Sequence, residues 1–247
     1  MARLNQLLAR HGLCSRRKAD EWILAGRVSV DGLVCRQLGV QVDPASQRIA
    51  VDGVCLQQPP EYLYLALNKP RGVVTTKDDP QGRPTVMKFM PPEYAQAGLF
   101  PVGRLDLDSD GLLLLTNNGN WSRILLHPRH QVWKEYRVAV DRPLSPEARR
   151  RLEDDILLDG RKTLSAKIIE AGGTANHFVI LLREGRNRQV RRMCAVVGLS
   201  ILTLTRTAVG PIHLENLAPG AWRSLTRMEV ESVFKLGTDS ANASLPT

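Results

Sequence analysis

The 247-residue sequence predicts an α+β protein in two bodies, and three observations carry that prediction. Two short helical patterns are followed by two Asp-Gly hairpin signals, at Asp31-Gly32 and Asp52-Gly53. Two prolines, Pro59 and Pro60, then break the pattern. Beyond them, strand-like and helix-like runs mix without the regular strand-helix-strand cadence of a parallel sheet, so a largely antiparallel sheet is expected. A chain of this length can bury a sizeable core and divides more readily into two modest domains than into one large one.

Taken in order, Leu4, Leu7 and Leu8 fall at helical spacing and predict a short amphipathic helix that stops near Gly12. Ser15 is placed to cap a second helix, "RRKADEWILA", with Ala19, Trp22 and Ile23 on one apolar face and Gly26 ending it. Arg16, Arg17 and Lys18 crowd its first turn, where cations oppose the helix dipole. A role outside the helix, such as phosphate binding, accounts for them. "RVSVDGLVC" and "RIAVDGVCL" read as hairpins with tight turns at their Asp-Gly pairs.

"LQQPPEY" reads as a linker. After it, "YLYLALNKPRG" is a strand ending at Lys69-Pro70, and "TTKDDPQGRP" is a polar loop. "LLLLT" is a buried strand, "RILLH" closes a helix begun near Asn120, and "EYRVAV" is a strand. Ser145 and Pro146 start a further helix, "SPEARRRLED", as cap and first residue. "HFVILL" and "ILTLTRTAVG" are strands, and the small polar residues of "GTDSANASLPT" predict a disordered tail from 237 to 247. The expected division is therefore residues 1–58, a linker at 59–62, a second domain over 63–236, and the tail.

Composition narrows the function classes. Hydrophobic residues make up 43% and charged residues 24%, with no run long enough to span a bilayer, so neither a membrane protein nor a secretory leader is expected. Four cysteines, at 14, 35, 55 and 194, form no C-x-x-C pair, which fits reduced thiols in the cytoplasm. His127 and His130 have no visible partner for a metal. A net charge of +9 points to a polyanion, while the 5% aromatic content argues against broad stacking along single strands.

The stretch "GRLDLDSDGLLLLTNNG" first suggests calcium, since Asp106, Asp108, Asp110 and Gly111 match half of an EF-hand loop. The ninth position, however, is Leu114 and the twelfth is Asn117, where a bidentate carboxylate is required, and the flanks are not helical. An acid at the lip of an apolar strand needs another reason. The densest charge lies in "REGRNRQVRRM", where Arg183, Arg186, Arg188, Arg191 and Arg192 face one acid, Glu184. Guanidinium forks suit phosphates, so most of the cluster is expected to face nucleic acid. If this segment is helical, Arg191 lies at the edge of the apolar stripe of Val190, Met193 and Val197, where it calls for an anion such as an aspartate.

The segment "SRRKADEWILAGRVSVDG" resembles the S4 RNA-binding domain over roughly residues 2 to 55. Five further blocks in order, "LNKPRGVVTT", "GRLDLDSDGLLLLTNNG", "HPRHQVWKEYRV", "REGRNRQVRRM" and "LAPGAWRSLTRMEV", resemble the RsuA/RluB branch of the pseudouridine synthases. The resemblance implies a small S4-like domain followed by a larger catalytic domain with a mainly antiparallel central sheet. It also implies isomerisation of uridines in ribosomal RNA: the N1 to C1′ bond breaks, the base turns, and C5 joins C1′. No cofactor or metal is expected.

In this family's pattern Asp106 is the catalytic carboxylate, Arg191 its partner, and Arg104 part of the same "GRLD" block. Asp108 and Asp110 are secondary. Tyr136 matches a tyrosine that packs on the target base; from the residues alone, a core tyrosine with a satisfied hydroxyl is an equal alternative. Ser109-Asp110 and Asn118 depart from the commoner family residues, which alters charge near the site.

RNA contacts are expected from Arg16, Arg17, Lys18 and Arg27 in the first domain and from Lys77, Arg83, Arg186 and Arg188 in the second. Lys69 and Lys134 join them, with plain solvation as the alternative. The loop over 75–86 favours the RluB-like side, and hence large-subunit 23S RNA over small-subunit 16S RNA. The expected partner is ribosomal RNA, either naked or within a subunit precursor, with the protein a cytoplasmic monomer. The rival from another class is a non-catalytic RNA-binding or ribosome-assembly protein on the same fold.

Overall fold

The computed structural model describes residues 1–170 and 175–242, and the chain falls into two compact units. The first comprises Met1–Leu63, Met90–Phe100 and Thr116–Asn118. The second holds Tyr64–Phe89, Pro101–Leu115 and the chain from Gly119 onward.

In the first unit, α1 (Leu4–Arg10) and α2 (Arg16–Leu24) pack against a four-stranded sheet. Its strands are β1 (Val28–Val30), β2 (Leu33–Cys35), β3 (Ile49–Val51) and β4 (Val54–Cys55), in the order β2-β1-β3-β4. Leu4, Leu7, Leu8, Ala19 and Ile23 fill the space between helices and sheet, as the 3.6-residue spacing predicts. The Ser15 side chain accepts from the Lys18 amide and caps α2. Asp31-Gly32 and Asp52-Gly53 all take positive φ, as a type I′ turn requires.

The segment 90–100 joins this unit rather than the second because of two glycines. A β-carbon at Gly12 would sit 2.0 Å from the Gln96 carbonyl oxygen, and one at Gly98 would sit 3.1 Å from the Gly12 Cα. Only glycine permits this crossing. Asn117 fastens the unit further: its amide donates to the carbonyls of Glu61 and Ala97 and accepts from the Leu63 amide. The stretch read as a linker is thus pinned at Glu61–Leu63.

The second unit is built on one sheet. Its path runs through β8 (Lys167–Glu170), β9 (His177–Leu182), β7 (Lys134–Val140), β10 (Ile201–Val209), β6 (Asp110–Thr116), β5 (Tyr64–Lys69) and β11 (Trp222–Ser224), in that order. The pairings of β8 with β9, β9 with β7, β7 with β10, and β5 with β11 are antiparallel, whereas β10 runs parallel to β6. Leu112, Leu113, Leu114 and Leu115 are all buried, as expected for a central strand covered on both faces.

Four helices among the described residues pack on this sheet. Leu152 of α4 (Pro146–Glu153) and Val190, Met193 and Cys194 of α5 (Gln189–Val196) pack on Val138, Phe178, Ile180 and Leu204. Trp121 and Leu125 of α3 (Gly119–Leu126) and Val233 of α6 (Arg227–Asn242) pack on Leu112, Leu114 and Val209. Each fully buried leucine contributes about 2 kcal/mol. Helix α6 corrects the expectation of disorder from residue 237, since it continues to Asn242. A β-carbon on Gly237 would meet Ile124 at 2.8 Å, so the small residue lets the helix lie close to α3. Residues 243–247 of the expected tail lie outside the described residues. None of the described helices is long and apolar enough to cross a membrane.

Candidate active site

Asp106 sits in the loop that leads into β6, and the sequence block "LNKPRGVVTT" holds that loop in place. The Thr75 hydroxyl donates to the Leu105 carbonyl at 2.8 Å and accepts from the Leu105 amide. The Gly72 amide donates to the Leu107 carbonyl at 2.8 Å. Lys69 Nζ donates to the Ser109 carbonyl at 2.8 Å and to its neighbour Pro70 at 2.9 Å. Arg71 pairs with Asp110 at 2.9 Å. Leu105, immediately before Asp106, is buried and anchors it, and the Ser109 amide closes a turn onto the Asp106 carbonyl.

Gly111 then takes φ +102°, and a β-carbon there would stand 2.3 Å from the Arg206 carbonyl oxygen. The glycine that first suggested a calcium loop is needed for β6 to approach β10. The three aspartates are each matched to arginine. Asp110 meets Arg71, Asp108 meets Arg188 and Arg191, and Asp106 lies 3.6 Å from Arg188. Among the described residues no group of three or more acids, histidines or cysteines stands where it could hold a metal ion.

Asp106, Arg104, Tyr136, Arg186 and Arg188 line one cleft, together with Glu184, Gln189, Leu182 and Leu204. Tyr136 lies in β7, paired with Ile180 on one side and Arg206 on the other, and its ring packs on the edge of the apolar core. The cleft therefore combines a part-exposed carboxylate, an aromatic plane and cations. That combination can hold an extruded base against an attacking oxygen.

Several expected contacts are corrected. Arg191 does not meet Asp106; it donates to the Asp108 carbonyl and the Ser109 hydroxyl and lies 3.3 Å from the Asp108 carboxylate. Arg188, assigned to RNA, is the guanidinium beside Asp106, and it grips Asp108 with both terminal nitrogens. It precedes α5 in a left-handed conformation, φ +47°, which turns its side chain off the helix and back toward the loop. Burial opposes ionisation of Asp108, but the hydrogen bond from Arg188 and the charges of Arg191 and Arg188 prevail and hold its carboxyl below the usual range.

Lys69 is fully buried and faces no solvent, so it is not a phosphate contact. Desolvation pulls its ammonium down to about 8, although Asp110, Asp106 and Asp108 counter the shift. Arg186 is likewise occupied: it donates to the carbonyls of Leu158, Arg161 and Lys162 and to Glu184, fastening the hairpin formed by Leu157–Leu158 and Arg161–Lys162. Arg83 is bound within its own loop by Asp79, whose carboxyl it pulls down to about 2, while Lys77 is exposed. Lys134 is half-buried, and desolvation, with the nearby Arg206 charge, lowers it to about 8 against the pull of Glu184.

In the first unit, Arg16 and Arg17 are exposed and make no ion pair among the described residues. Lys18 pairs with Glu21 at 2.7 Å. Arg27 is taken up by Asp52 and stacks over Trp22 at 4.4 Å.

Arg206 went unread in the sequence, and Glu184 was read there only as the lone acid of the arginine cluster. Arg206 is buried and donates to the Leu112 carbonyl at 2.8 Å, tying β10 to β6. Its only signal was a lone arginine within the β-branched run "ILTLTRTAV". Glu184 accepts from Gln189, Arg186 and the Leu164 amide, which makes it the counter-anion of the cleft wall.

Residues 63–196 match the family model described as RNA pseudouridylate synthase, and residues 2–49 match the S4 domain. An uncharacterised RNA pseudouridine synthase of Mycobacterium leprae is 39% identical over 94% of this chain and 92% of its own. The ribosomal large subunit pseudouridine synthase B of Bacillus subtilis is 37% identical over 98% of this chain and all of its own. Among solved structures, a pseudouridylate synthase superposes with a TM-score of 0.69 at 31% identity, covering 94% of this chain and all of that one.

Proposed function

The chain belongs to the RNA pseudouridylate synthase family and carries an S4 domain, and from that premise we propose that it isomerises uridines of large-subunit ribosomal RNA, with Asp106 as the catalytic carboxylate. The observation that carries the reading is the cleft in which Asp106 stands part-exposed beside Tyr136, Arg104 and Arg188. Isomerisation requires the N1 to C1′ bond to break and C5 to bond to C1′, with the C5 proton lost and one regained at N1. A carboxylate oxygen serves by attacking the sugar or by removing a proton from it.

The uridine must leave its stack to reach Asp106, which costs a few kcal/mol. Tyr136 offers the extruded base a plane to rest on. Arg188 places a guanidinium 3.6 Å from the Asp106 carboxylate. Arg16 and Arg17 of the S4 unit supply affinity for the RNA backbone, and binding energy spent on non-reacting parts of the substrate holds the target in place. The protein acts as a cytoplasmic monomer on ribosomal RNA or on a subunit precursor. The name of the Bacillus subtilis relative supports the large subunit as the source of that RNA.

The test is to map pseudouridines in ribosomal RNA from a strain lacking the gene and from its complemented parent. Loss of at least one modified position in 23S RNA, restored by the wild-type gene and not by Asp106→Asn, is expected. Loss confined to 16S RNA would transfer the reading to the small subunit. No loss anywhere would favour a non-catalytic RNA-binding role.

A further inference from the structure

We propose that Asp108 is a built-in stand-in for an RNA phosphate: in the free protein its carboxylate fills the cradle of Arg188 and Arg191, and on binding it gives way to a phosphodiester of the entering strand. This rests on the reading that the cleft takes RNA. Arg188 meets the two Asp108 oxygens with two parallel bonds, 3.2 and 3.1 Å, the fork geometry that a guanidinium also presents to a phosphate.

The contrast with neighbouring arginines is informative. Arg186 spends its donors mainly on backbone carbonyls, which cannot be exchanged without unfolding a hairpin. Arg188 donates to carboxylate oxygens, and its pair with Asp108 is about half exposed on both sides, 45% and 49%. An exposed pair of this kind is worth about 1 kcal/mol or less, so it yields readily to a competing anion. Arg191 is held more deeply, yet its Nε is buried and has no hydrogen-bond partner among the described residues. Asp108 leaves that donor unmet.

The position fits as well. Asp108 lies on the turn that Asp106 begins and Ser109 closes, so an anion replacing it stands next to the catalytic carboxylate. A nucleotide whose ribose meets Asp106 carries its own phosphates on either side of that ribose. The exchange has a function beyond affinity. While the cradle is filled, Arg188 is shared between Asp108 and Asp106, and the loop keeps its shape without RNA.

The experiment compares the wild type with Asp108→Asn in filter binding to deproteinised 23S ribosomal RNA over a series of salt concentrations. Removing the internal competitor should tighten binding about threefold to tenfold at low salt. It should also steepen the slope of log affinity against log salt by about one unit, because a free guanidinium now meets the phosphate. The gain must vanish in an Arg188→Gln background, where no fork remains to be freed. Asp108→Ser should behave like Asp108→Asn, and thermal melting reports whether each variant is folded.

Equal or weaker binding by both folded variants, or an unaltered salt slope, would overturn the proposal and leave Asp108 as a simple strut. Binding is read rather than turnover. A protein that released no isomerised product could therefore still show the exchange, and the two readings fail separately.

Discussion

The first turn of α2 and the segment around α5 look alike in sequence, each a cluster of arginines, and the fold treats them in opposite ways. On α2, Arg16 and Arg17 stand in solvent with no ion pair among the described residues. Around α5, Arg186, Arg188, Arg191 and Arg192 are all engaged, by backbone carbonyls, by Asp108 or by Asp159. The lesson is that density of positive charge does not itself mark a nucleic-acid surface. A guanidinium carries several donors, and where it is part-buried those donors must be satisfied, so it binds the protein's own carbonyls first.

The largest effect that tests this contrast is expected at Lys69, the most buried cation of the second unit. Lys69→Met should lower kcat about a hundredfold, because the Asp106 loop loses its anchor at the Ser109 carbonyl and a misplaced carboxylate is costly. RNA affinity should stay within about twofold, since a buried ammonium contributes little to phosphate binding. A variant with full kcat and weakened binding would return Lys69 to the RNA surface.

The same lysine gives a pH signature. Its folded value, about 8, lies below its unfolded one near 10.4, so between these the unfolded chain holds the extra proton. The burial penalty is fully felt below pH 8 and is relieved as pH rises, so this group makes stability increase with pH in that window. The unfolding free energy of the wild type relative to Lys69→Met should therefore rise by about 3 kcal/mol from pH 8 to 10.5 in chemical denaturation. Lys134 shifts in the same direction in both proteins and cancels.

Arg186→Ala should come next, with a stability loss of about 2 kcal/mol from the carbonyls of the hairpin at 157–162 left without their donor. Its RNA affinity should change little. A large loss of affinity with unchanged stability would erase the distinction between the two arginine clusters. The smallest effects belong to Arg16→Gln and Arg17→Gln. Each should weaken RNA binding a few-fold at low salt and reduce the salt slope by about one, with no change in melting temperature. A drop in melting temperature without a change in slope would show these residues to be architectural too.

Much of the fold was legible because its signals are local. Helix α2 follows from Ser15 and the spacing of Ala19 and Ile23, the hairpin turns follow from Asp31-Gly32 and Asp52-Gly53, and β6 follows from four consecutive leucines. Asp106, Arg104 and Tyr136, which line one cleft, were also legible as a set through the order of the sequence blocks, whereas Arg188 was expected at RNA. What could not be read was pairing across long separations. That Lys69 reaches Ser109, that Arg188 rather than Arg191 stands beside Asp106 while Arg191 meets Asp108, and that Asn117 clamps residues 61–63 depend on contacts 40 to 83 positions apart. Spacing along the chain carries no information about such contacts. The extent of α6 was missed for a related reason: its small polar residues have weak helix propensity, and packing of Gly237 on Ile124 favours the helix instead.

The central claim is that the Asp106 carboxylate reacts with the ribose of an extruded uridine. Release of tritium from ribosomal RNA labelled at uridine C5 tests it most directly, with wild type and Asp106→Asn run side by side and RNA binding measured for both. The account predicts steady release by the wild type and at least a thousandfold less by a variant that still binds RNA, a loss of about 4 kcal/mol of transition-state stabilisation. Release by Asp106→Asn at a rate near that of the wild type would contradict it.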